Sequence, residues 1–419
     1  MPYQKICIPF LLKPTLRKKK NLFNIKRWIK KKKQKLSTPS EVNPEQKKKQ
    51  KLSKSQVMAS PSSLSEKDMQ EAMKKQNEAA MFLAGKVISA LDRNSNFVFS
   101  PASINTVVTM MTPGSDEHNA VFSEIATLVF ADGSTKGGPK ISVINRIWVE
   151  QSLPFDSSLK DLLEKFFKAT FAQVDFRFKA GQVRRELNKW ASDHSNGLIR
   201  DLLPPGSVKS ETVQVYGNAL YFKGAWENKF DKSLTKGNKF HLLDGKQVRV
   251  PFMRSYKSQY IKAYDGFKVL GLPYQQGHDD TKRKFSMYFY LPDKNDGLDS
   301  LLKEMVSTPG FVDSHIPRYK VEVADFRIPK FNISFMFFTL DFPELDSLSL
   351  YHKACVEIDE DGAKAAAVTF GMKETGTGFH MEKMIDFVAD HPFLFLIRED
   401  KTGTILFHGQ IFDPSRKSN

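Results

Sequence analysis

The stretch Asn96-Phe97-Val98-Phe99-Ser100-Pro101-Ala102-Ser103-Ile104 decides how this chain of 419 residues is interpreted. Its apolar run at residues 97–99 predicts a short buried strand, because continuous apolar residues of this length are typical of strands with no face in water. Ser100 followed by Pro101 predicts that a helix begins at once. A serine side chain caps the free amide groups of a first turn, and proline fits its first position.

Helical patterns come first along the chain, and strands dominate later. Between Met69 and Leu91, apolar residues recur at three- and four-residue steps, which predicts one buried face of a helix. Strands are predicted at Ile141–Val149, Val213–Phe222, Phe285–Leu291, Phe393–Ile397 and Ile405–Phe407. Further helices are predicted near Leu159–Ala169, Val183–His194 and Leu298–Met305. Because strands and helices do not alternate regularly, the sequence predicts an α+β fold.

Positive charge is concentrated in an N-terminal arm, residues 1–62. The arm holds 18 Lys and Arg against Glu41 and Glu45, whereas the rest of the chain holds 46 basic and 45 acidic residues. Like charges repel, so the arm is predicted to be disordered and to precede a single domain at residues 63–419. The nearly neutral body gives no reason to expect a polyanionic partner.

Four interpretations of the arm stay open. The basic segment 26–35 predicts recognition by a nuclear import receptor, and so a nuclear or cytoplasmic location. The absence of acidic residues before Glu41 suits an organelle transit peptide, although serine is scarce. The third interpretation is direct contact with nucleic acid or an anionic membrane. The fourth is a solvated tail, or an upstream extension before an internal start at Met58.

Several kinds of site are excluded by the sequence. Cys7 and Cys355 lie in the arm and the body, so no disulfide within the body is expected, which suits a reducing compartment without excluding secretion. No apolar run reaches about 18 residues, so no membrane span is predicted. The run 278–280 (His-Asp-Asp) offers too few ligands for a metal, and 376–378 lacks the context of a phosphate loop. No cofactor, metal or small-molecule substrate is therefore predicted.

Segments in order along residues 65–414 resemble the serpin family. Asn96–Ile104 resembles the family's shutter segment, and Tyr216–Trp226 resembles the strand with the shutter Asn and the breach Trp. His352–Ala354 with Glu357–Ala367 resembles the strand and hinge before the reactive loop. Ile385–Phe393 resembles the segment after that loop in plant members, and Gly409–Pro414 resembles the closing strand. The resemblance implies a monomer with a large central β-sheet, further β-sheets, surrounding helices and an exposed reactive-centre loop at about residues 362–384.

Four polar residues stand in or beside apolar runs: Ser100, Ser103, Asn218 and His352. Buried polar groups need hydrogen-bond partners. The resemblance implies that these four bond to one another as a shutter beneath a sheet that opens, with Trp226 at the breach. The alternative is four unrelated polar residues, each satisfied locally.

The resemblance implies a protease inhibitor that acts as a suicide substrate, and not an enzyme. A serine or cysteine protease would attack the loop and form an acyl-enzyme, after which the cut loop inserts as a strand and distorts the protease. The family's usual interval from Gly362 places the cut bond at Gly376–Thr377. Because Gly376 offers no side chain, the sequence does not identify the target protease, although Lys373–Glu374 is a nearby tryptic site. The family resemblance is also compatible with an extracellular location.

The hinge, residues 362–369, has side chains suited to strand insertion on only one of its two faces. Its members are Gly362, Ala363, Lys364, Ala365, Ala366, Ala367, Val368 and Thr369. If alternate side chains face the core, the inward residues 363, 365, 367, 369 and 371 are all small. Lys364 stands where the family usually has Glu, and Phe370 is bulky, which predicts slower insertion. The alternative function is therefore a non-inhibitory serpin that is cleaved as a substrate or acts by binding.

Two regions look shorter than in the family. Residues 111–130 have room for one helix where the family has two, and residues 335–350 look short for the helix before the hinge strand. Both changes would remove buried area and relax the strained state that drives insertion. The alternative is that a faulty gene model has shortened these two regions.

Overall fold

The structure is a computed structural model. It describes residues 5–7, 95–111, 126–154, 157–195, 200–278, 280–341, 350–362 and 384–416, together with 70, 71, 73, 74, 77, 78, 81, 123 and 197. The arm from residue 8 onward and the loop at 363–383 lie outside the described residues. The predicted arm boundary therefore stays a prediction.

The helices and strands of the described residues follow in chain order. The strands are β1 (Lys5–Cys7), β2 (Phe97–Phe99), β3 (Lys140–Glu150), β4 (Thr170–Val174), β5 (Gln214–Lys223), β6 (Lys236–His241), β7 (Gln247–Arg254), β8 (Gln259–Tyr264), β9 (Phe267–Pro273), β10 (Phe285–Pro292), β11 (Lys320–Val321), β12 (Phe326–Pro329), β13 (Phe331–Asp341), β14 (Leu350–Ile358), β15 (Phe387–Val388), β16 (Phe393–Glu399) and β17 (Ile405–Ile411). The helices are α1 (Pro101–Met111), α2 (Ser157–Phe167), α3 (Phe176–His194), α4 (Leu298–Ser307) and α5 (Phe311–Ser314). Two short 3₁₀ turns lie at Ser134–Lys136 and Lys232–Leu234.

The strands form four sheets. The largest has the order β11-β8-β9-β10-β16-β17-β2, and a four-stranded sheet has the order β15-β12-β7-β6. Two three-stranded sheets have the orders β4-β3-β5 and β1-β13-β14, so β5 and β14 are both edge strands. Pairing is antiparallel except for β3 with β4, β12 with β15 and β1 with β13.

The core surrounds the seven-stranded sheet on both faces. Every residue of β10, β16 and β17 is buried, as continuous apolar runs predict. On β10, Met287 and Phe289 pack in one apolar cluster while Tyr288 and Tyr290 pack in another, beneath α4 and α5. The first cluster also contains residues of β3, β5, β13, β14 and the four-stranded sheet, and so joins all four sheets into one body.

Most elements predicted from local pattern appear close to their predicted bounds. Residue 123 and residues 126–129 are helical, but most of the region at 111–130 lies outside the described residues. Within 335–350, β13 continues to Asp341 and residues 342–349 are not described. No described helix is long and apolar enough to cross a membrane. Over the same residues, no group of three or more His, Cys, Asp or Glu side chains has the arrangement of a metal site.

Candidate functional site

A chain of hydrogen bonds links the start of α1 to both edge strands. The Ser100 amide donates to Nε2 of His352 on β14 at 3.0 Å. Ser100 Oγ caps α1 by accepting from the Ser103 amide at 3.1 Å. Ser103 Oγ in turn donates to Oδ1 of Asn218 on β5. The capped helix start therefore ties β5 to β14, although these strands belong to different sheets.

Asn145 on β3 extends this network. Asn218 Nδ2 donates to Asn145 Oδ1 at 2.7 Å, and Asn145 Nδ2 donates to the Phe167 carbonyl at the end of α2, also at 2.7 Å. Both amide atoms of Asn218 are thus hydrogen-bonded, Oδ1 to Ser103 on α1 and Nδ2 to Asn145 across the sheet. The sheet that contains β5 is held to α1 and α2 by hydrogen bonds of side-chain amides as well as by packing.

His352 enters this network as a neutral ring. It is buried, and burial lowers its pKa to about 3, because a charged ring would have to give up its hydration. A neutral imidazole can offer Nε2 as an acceptor, which the bond from the Ser100 amide requires.

The residues that follow β5 and β14 meet at Trp226. Its indole Nε1 donates to the Asp359 carbonyl at 2.9 Å, and its amide donates to the Asp361 carbonyl at 3.2 Å. The ring is buried and stacks on Tyr274 with centroids 4.7 Å apart. Phe230 meets the same ring edge-on. This contact, called the breach below, closes one end of the space between β5 and β14.

Gly362 is pressed against the breach. Its φ of 71° lies in the left-handed region, which favours glycine. A Cβ at this position would lie 2.5 Å from the Trp226 amide nitrogen and 2.9 Å from the Gly224 carbonyl oxygen. The residue that opens the predicted loop must therefore be glycine for the hinge to seat against Trp226.

Charged contacts hold the residues before Gly362. Glu360 is buried and accepts from Lys330 Nζ at 2.6 Å and from Thr235 Oγ1 at 2.7 Å. Burial by itself would raise the pKa of Glu360, but these bonds outweigh it and lower that pKa below its usual value. Lys232 and Asp361 form an exposed ion pair at 2.7 Å beside them. The residues just before Gly362 are thus anchored by ion pairs as well as by the contacts of Trp226.

The two edge strands run in the same direction. Because β5 and β14 both lead into the breach, they are parallel in space, yet no strand pairing joins them within the described residues. Lys353 of β14 adds one more tie, since its Nζ donates to the Arg200 carbonyl in the connection from α3 to β5 at 2.9 Å. An edge strand presents N–H and C=O groups with which a further strand can pair.

Comparison with known proteins identifies the family. The family model described as "Serpin (serine protease inhibitor)" matches residues 74–342 and 339–414. The chain belongs to the serpin family. Serpin-Z2 of Arabidopsis thaliana is 58% identical, over 84% of this chain and 92% of that protein. The Arabidopsis protein named "Probable non-inhibitory serpin-Z5" is 54% identical, over 92% of this chain and 99% of its own.

A solved structure supports the same assignment. Arabidopsis AtSerpin1 in its native stressed conformation is 46% identical and superposes with a TM-score of 0.74, over 83% of this chain and 99% of that chain. The predicted α+β serpin fold is confirmed. This serpin therefore belongs to a family of serine protease inhibitors whose partners are target proteases.

The predicted site residues fall into three groups. Ser100, Ser103, Asn218 and His352 share one hydrogen-bonded network, and Trp226 lies with Gly362 at the breach. Their functions as shutter, breach and hinge stay predictions. The remaining predicted residues lie outside the described residues: Ala363, Lys364, Ala365, Ala366, Ala367, Val368, Thr369, Gly376 and Thr377.

Several residues of the site are not predicted from the sequence. Asn145 carried a usable signal, because it is a polar residue inside the apolar run that predicted β3. Glu360 carried none, since its partner Thr235 is 125 positions away. Tyr274, which stacks on Trp226, also carried no signal in the sequence, because this contact depends on how two sheets pack together.

Proposed function

We propose that this serpin inhibits a serine or cysteine endopeptidase as a suicide substrate, by inserting its cleaved loop between β5 and β14. The observation that carries the proposal is the pair of parallel edge strands, tied at the breach and through α1 but not paired with each other within the described residues. A strand returning from Gly362 would run antiparallel to both. Antiparallel pairing is the slightly more stable arrangement.

The chemistry of the trap belongs to the protease. Its nucleophile attacks the Gly376 carbonyl, the peptide bond to Thr377 breaks, and the Thr377 amine leaves with a proton from the protease's own base. The acyl bond to Gly376 then awaits water. Insertion of the freed strand must displace the protease's active site before that water attacks. In this scheme the serpin supplies no catalytic residue, so the proposal includes that the chain is not an enzyme.

The small inward residues of the hinge make insertion testable by a matched pair. Thr369→Arg places a charged side chain at an inward position, where burial without a partner is costly. Ala366→Arg adds the same side chain at an outward position. We expect complexes that survive boiling in detergent from wild type and Ala366→Arg, and cleavage without complex from Thr369→Arg. Proteases of trypsin, elastase and papain specificity are the probes. If all of them cut the wild-type loop and none stays attached, inhibition is refuted.

The second candidate is a non-inhibitory serpin. It is favoured by the 54% identity to a relative named as probably non-inhibitory, and by two outward-facing residues, Lys364 in the hinge and Phe370 just after it. In that case the loop is cut at the same bond, but hydrolysis precedes insertion. Substituting Lys364→Glu and Phe370→Ala together should convert such a substrate into an inhibitor. A wild-type chain that already forms the complex would exclude this candidate.

The location proposed for this serpin is nuclear or cytoplasmic, with the basic segment 26–35 as the ligand of an import receptor. Support comes from its run of Lys and Arg, since the arm lies outside the described residues. Replacing Lys30–Lys33 with alanine in a fluorescent fusion should move signal from nucleus to cytoplasm. Secretion of the wild-type fusion would overturn the proposal in favour of an extracellular location.

A further inference from the structure

The body of this serpin is nearly neutral as a whole, yet one segment of it is strongly basic. Residues 227–262 contain nine Lys and Arg against three Asp and Glu. The rest of the body must then be acidic on balance. The segment contains β6 and β7, which form one side of the four-stranded sheet.

Strand β6 spans the space between the two ends of the reactive loop. Just before β6, Thr235 donates to Glu360, two residues ahead of the loop's first residue. At the end of β6, the His241 amide donates to the Asp390 carbonyl at 2.7 Å, directly after β15 and the loop's return. A protease that engages the loop must therefore approach the surface that β6 and β7 present.

The outward face of these strands holds a like-charged pair. Lys239 on β6 and Arg249 on β7 are register partners and both are exposed. The Arg249 side chain lies over Gly237, where a Cβ would approach its Nε to 2.9 Å. Like charges directly opposite each other destabilise a strand pair. The fold thus contains a destabilising charge pair at a position beside the loop.

Neighbouring acidic residues do not neutralise the pair. Within the described residues, Asp244 is engaged by Lys246 at 2.9 Å, and no carboxylate forms an ion pair with Lys239 or Arg249. Both are exposed. These two residues are called the basic patch below. Such a patch raises the rate at which a partner of opposite charge arrives.

We propose that the basic patch is an exosite that selects proteases with an acidic surface beside their active-site cleft. The inference rests on the proposed function only in taking the loop as the protease's target. The protease is selected when it first binds, before loop insertion competes with hydrolysis of the acyl-enzyme. The loop itself offers little selection at its cut bond, because Gly376 has no side chain. The patch supplies selection that the loop lacks.

The test uses one protease in two charge states. Trypsin has a site in the loop at Lys373–Glu374, and succinylation of its surface lysines makes it acidic while keeping its specificity. The rate of this cut is followed by mass spectrometry on the full chain, at about 0.01 M and about 0.15 M salt, where the Debye length is about 30 Å and about 8 Å. The variant is Lys239→Glu/Arg249→Glu. The control is Lys179→Glu/Arg185→Glu, an equal charge change on the exposed face of α3.

We expect succinylated trypsin to cut wild type about tenfold faster than Lys239→Glu/Arg249→Glu at low salt, with a smaller difference at higher salt. The α3 control should match wild type, and unmodified trypsin should not favour wild type. Equal rates for wild type and the patch variant with succinylated trypsin would overturn the proposal. So would a patch that binds a sulfated polysaccharide while leaving the protease rates unchanged, since it would then be a polyanion site.

A second readout separates this proposal from the proposed function. Succinylated trypsin blocked at its active-site serine should bind wild type more tightly than the patch variant. That comparison requires no cut, complex or insertion. A serpin that never traps a protease would refute the proposed function while leaving this result standing.

Discussion

Gly362→Ala tests whether the hinge is held against the breach in the uncut protein. In the structure Gly362 has a φ of 71°, and an alanine Cβ would lie 2.5 Å from the Trp226 amide nitrogen. The hinge must then move away from that turn or distort it. We expect the hydrogen bond from the Trp226 amide to the Asp361 carbonyl, 3.2 Å long, to break first.

The expected cost follows from these two effects. A left-handed conformation costs a non-glycine residue roughly 1–2 kcal/mol. Breaking a backbone hydrogen bond adds about 1 kcal/mol. The total is about 2–3 kcal/mol, which at about 2 °C per kcal/mol for a large domain lowers Tm by about 4–6 °C. After the loop is cut and inserted, residue 362 becomes extended, so the cost should vanish.

The assay is differential scanning calorimetry of intact and loop-cut protein. Gly245→Ala is the matched control, because Gly245 has a similar φ of 80° but nothing within 4 Å of its Cβ position. We expect Gly362→Ala to lower Tm of the intact form clearly more than Gly245→Ala, and to leave the cut form unchanged. A Gly362→Ala effect no larger than the control, or equal in both forms, would refute the reasoning.

Three further predictions concern the core of the protein. His352, and His408 on β17 opposite Phe99, are both buried, and desolvation lowers the pKa of each to about 3. The free energy of unfolding is therefore highest above pH 6.5 and falls below it by about 1.4 kcal/mol per pH unit for each ring. Urea unfolding at pH 7 and 5 should show this slope, and His408→Met should halve it; an unchanged slope would contradict the burial argument. Asn218→Ala should lower the free energy of unfolding by about 2–3 kcal/mol, because both its amide atoms are bonded, and a decrease under 1 kcal/mol in urea would refute the network. Glu360→Gln should cost the intact form only about 1 kcal/mol, since Lys330 is partly exposed, and a calorimetric Tm change above 5 °C would contradict this.

Local signals predicted the parts of the site that lie close together in sequence. Asn96–Ile104 predicted both β2 and the start of α1, because strand, cap and first turn are encoded by adjacent residues. Strand β7 was not predicted, although Val248, Val250 and Phe252 alternate with other residues, and Val250 and Phe252 are buried. A period-two search would have found it.

Long-range contacts could not be predicted in the same way. The bond between Thr235 and Glu360, and that from His241 to Asp390, join residues more than a hundred positions apart. Neither has a periodic signal. The basic patch was also hidden, because the body's net charge averages over surfaces that the fold separates, and only the register of β6 with β7 places Lys239 opposite Arg249.

The central claim is that β5 and β14 receive the cut loop as a new strand. The most direct measurement is Tm of the full chain before and after a single cut within residues 373–377. The account predicts a large rise, because a strand paired on both edges adds backbone hydrogen bonds and buries the small inward residues of the hinge. An unchanged or lower Tm after the cut would contradict it, because the cut loop would then not have paired with the edges of β5 and β14.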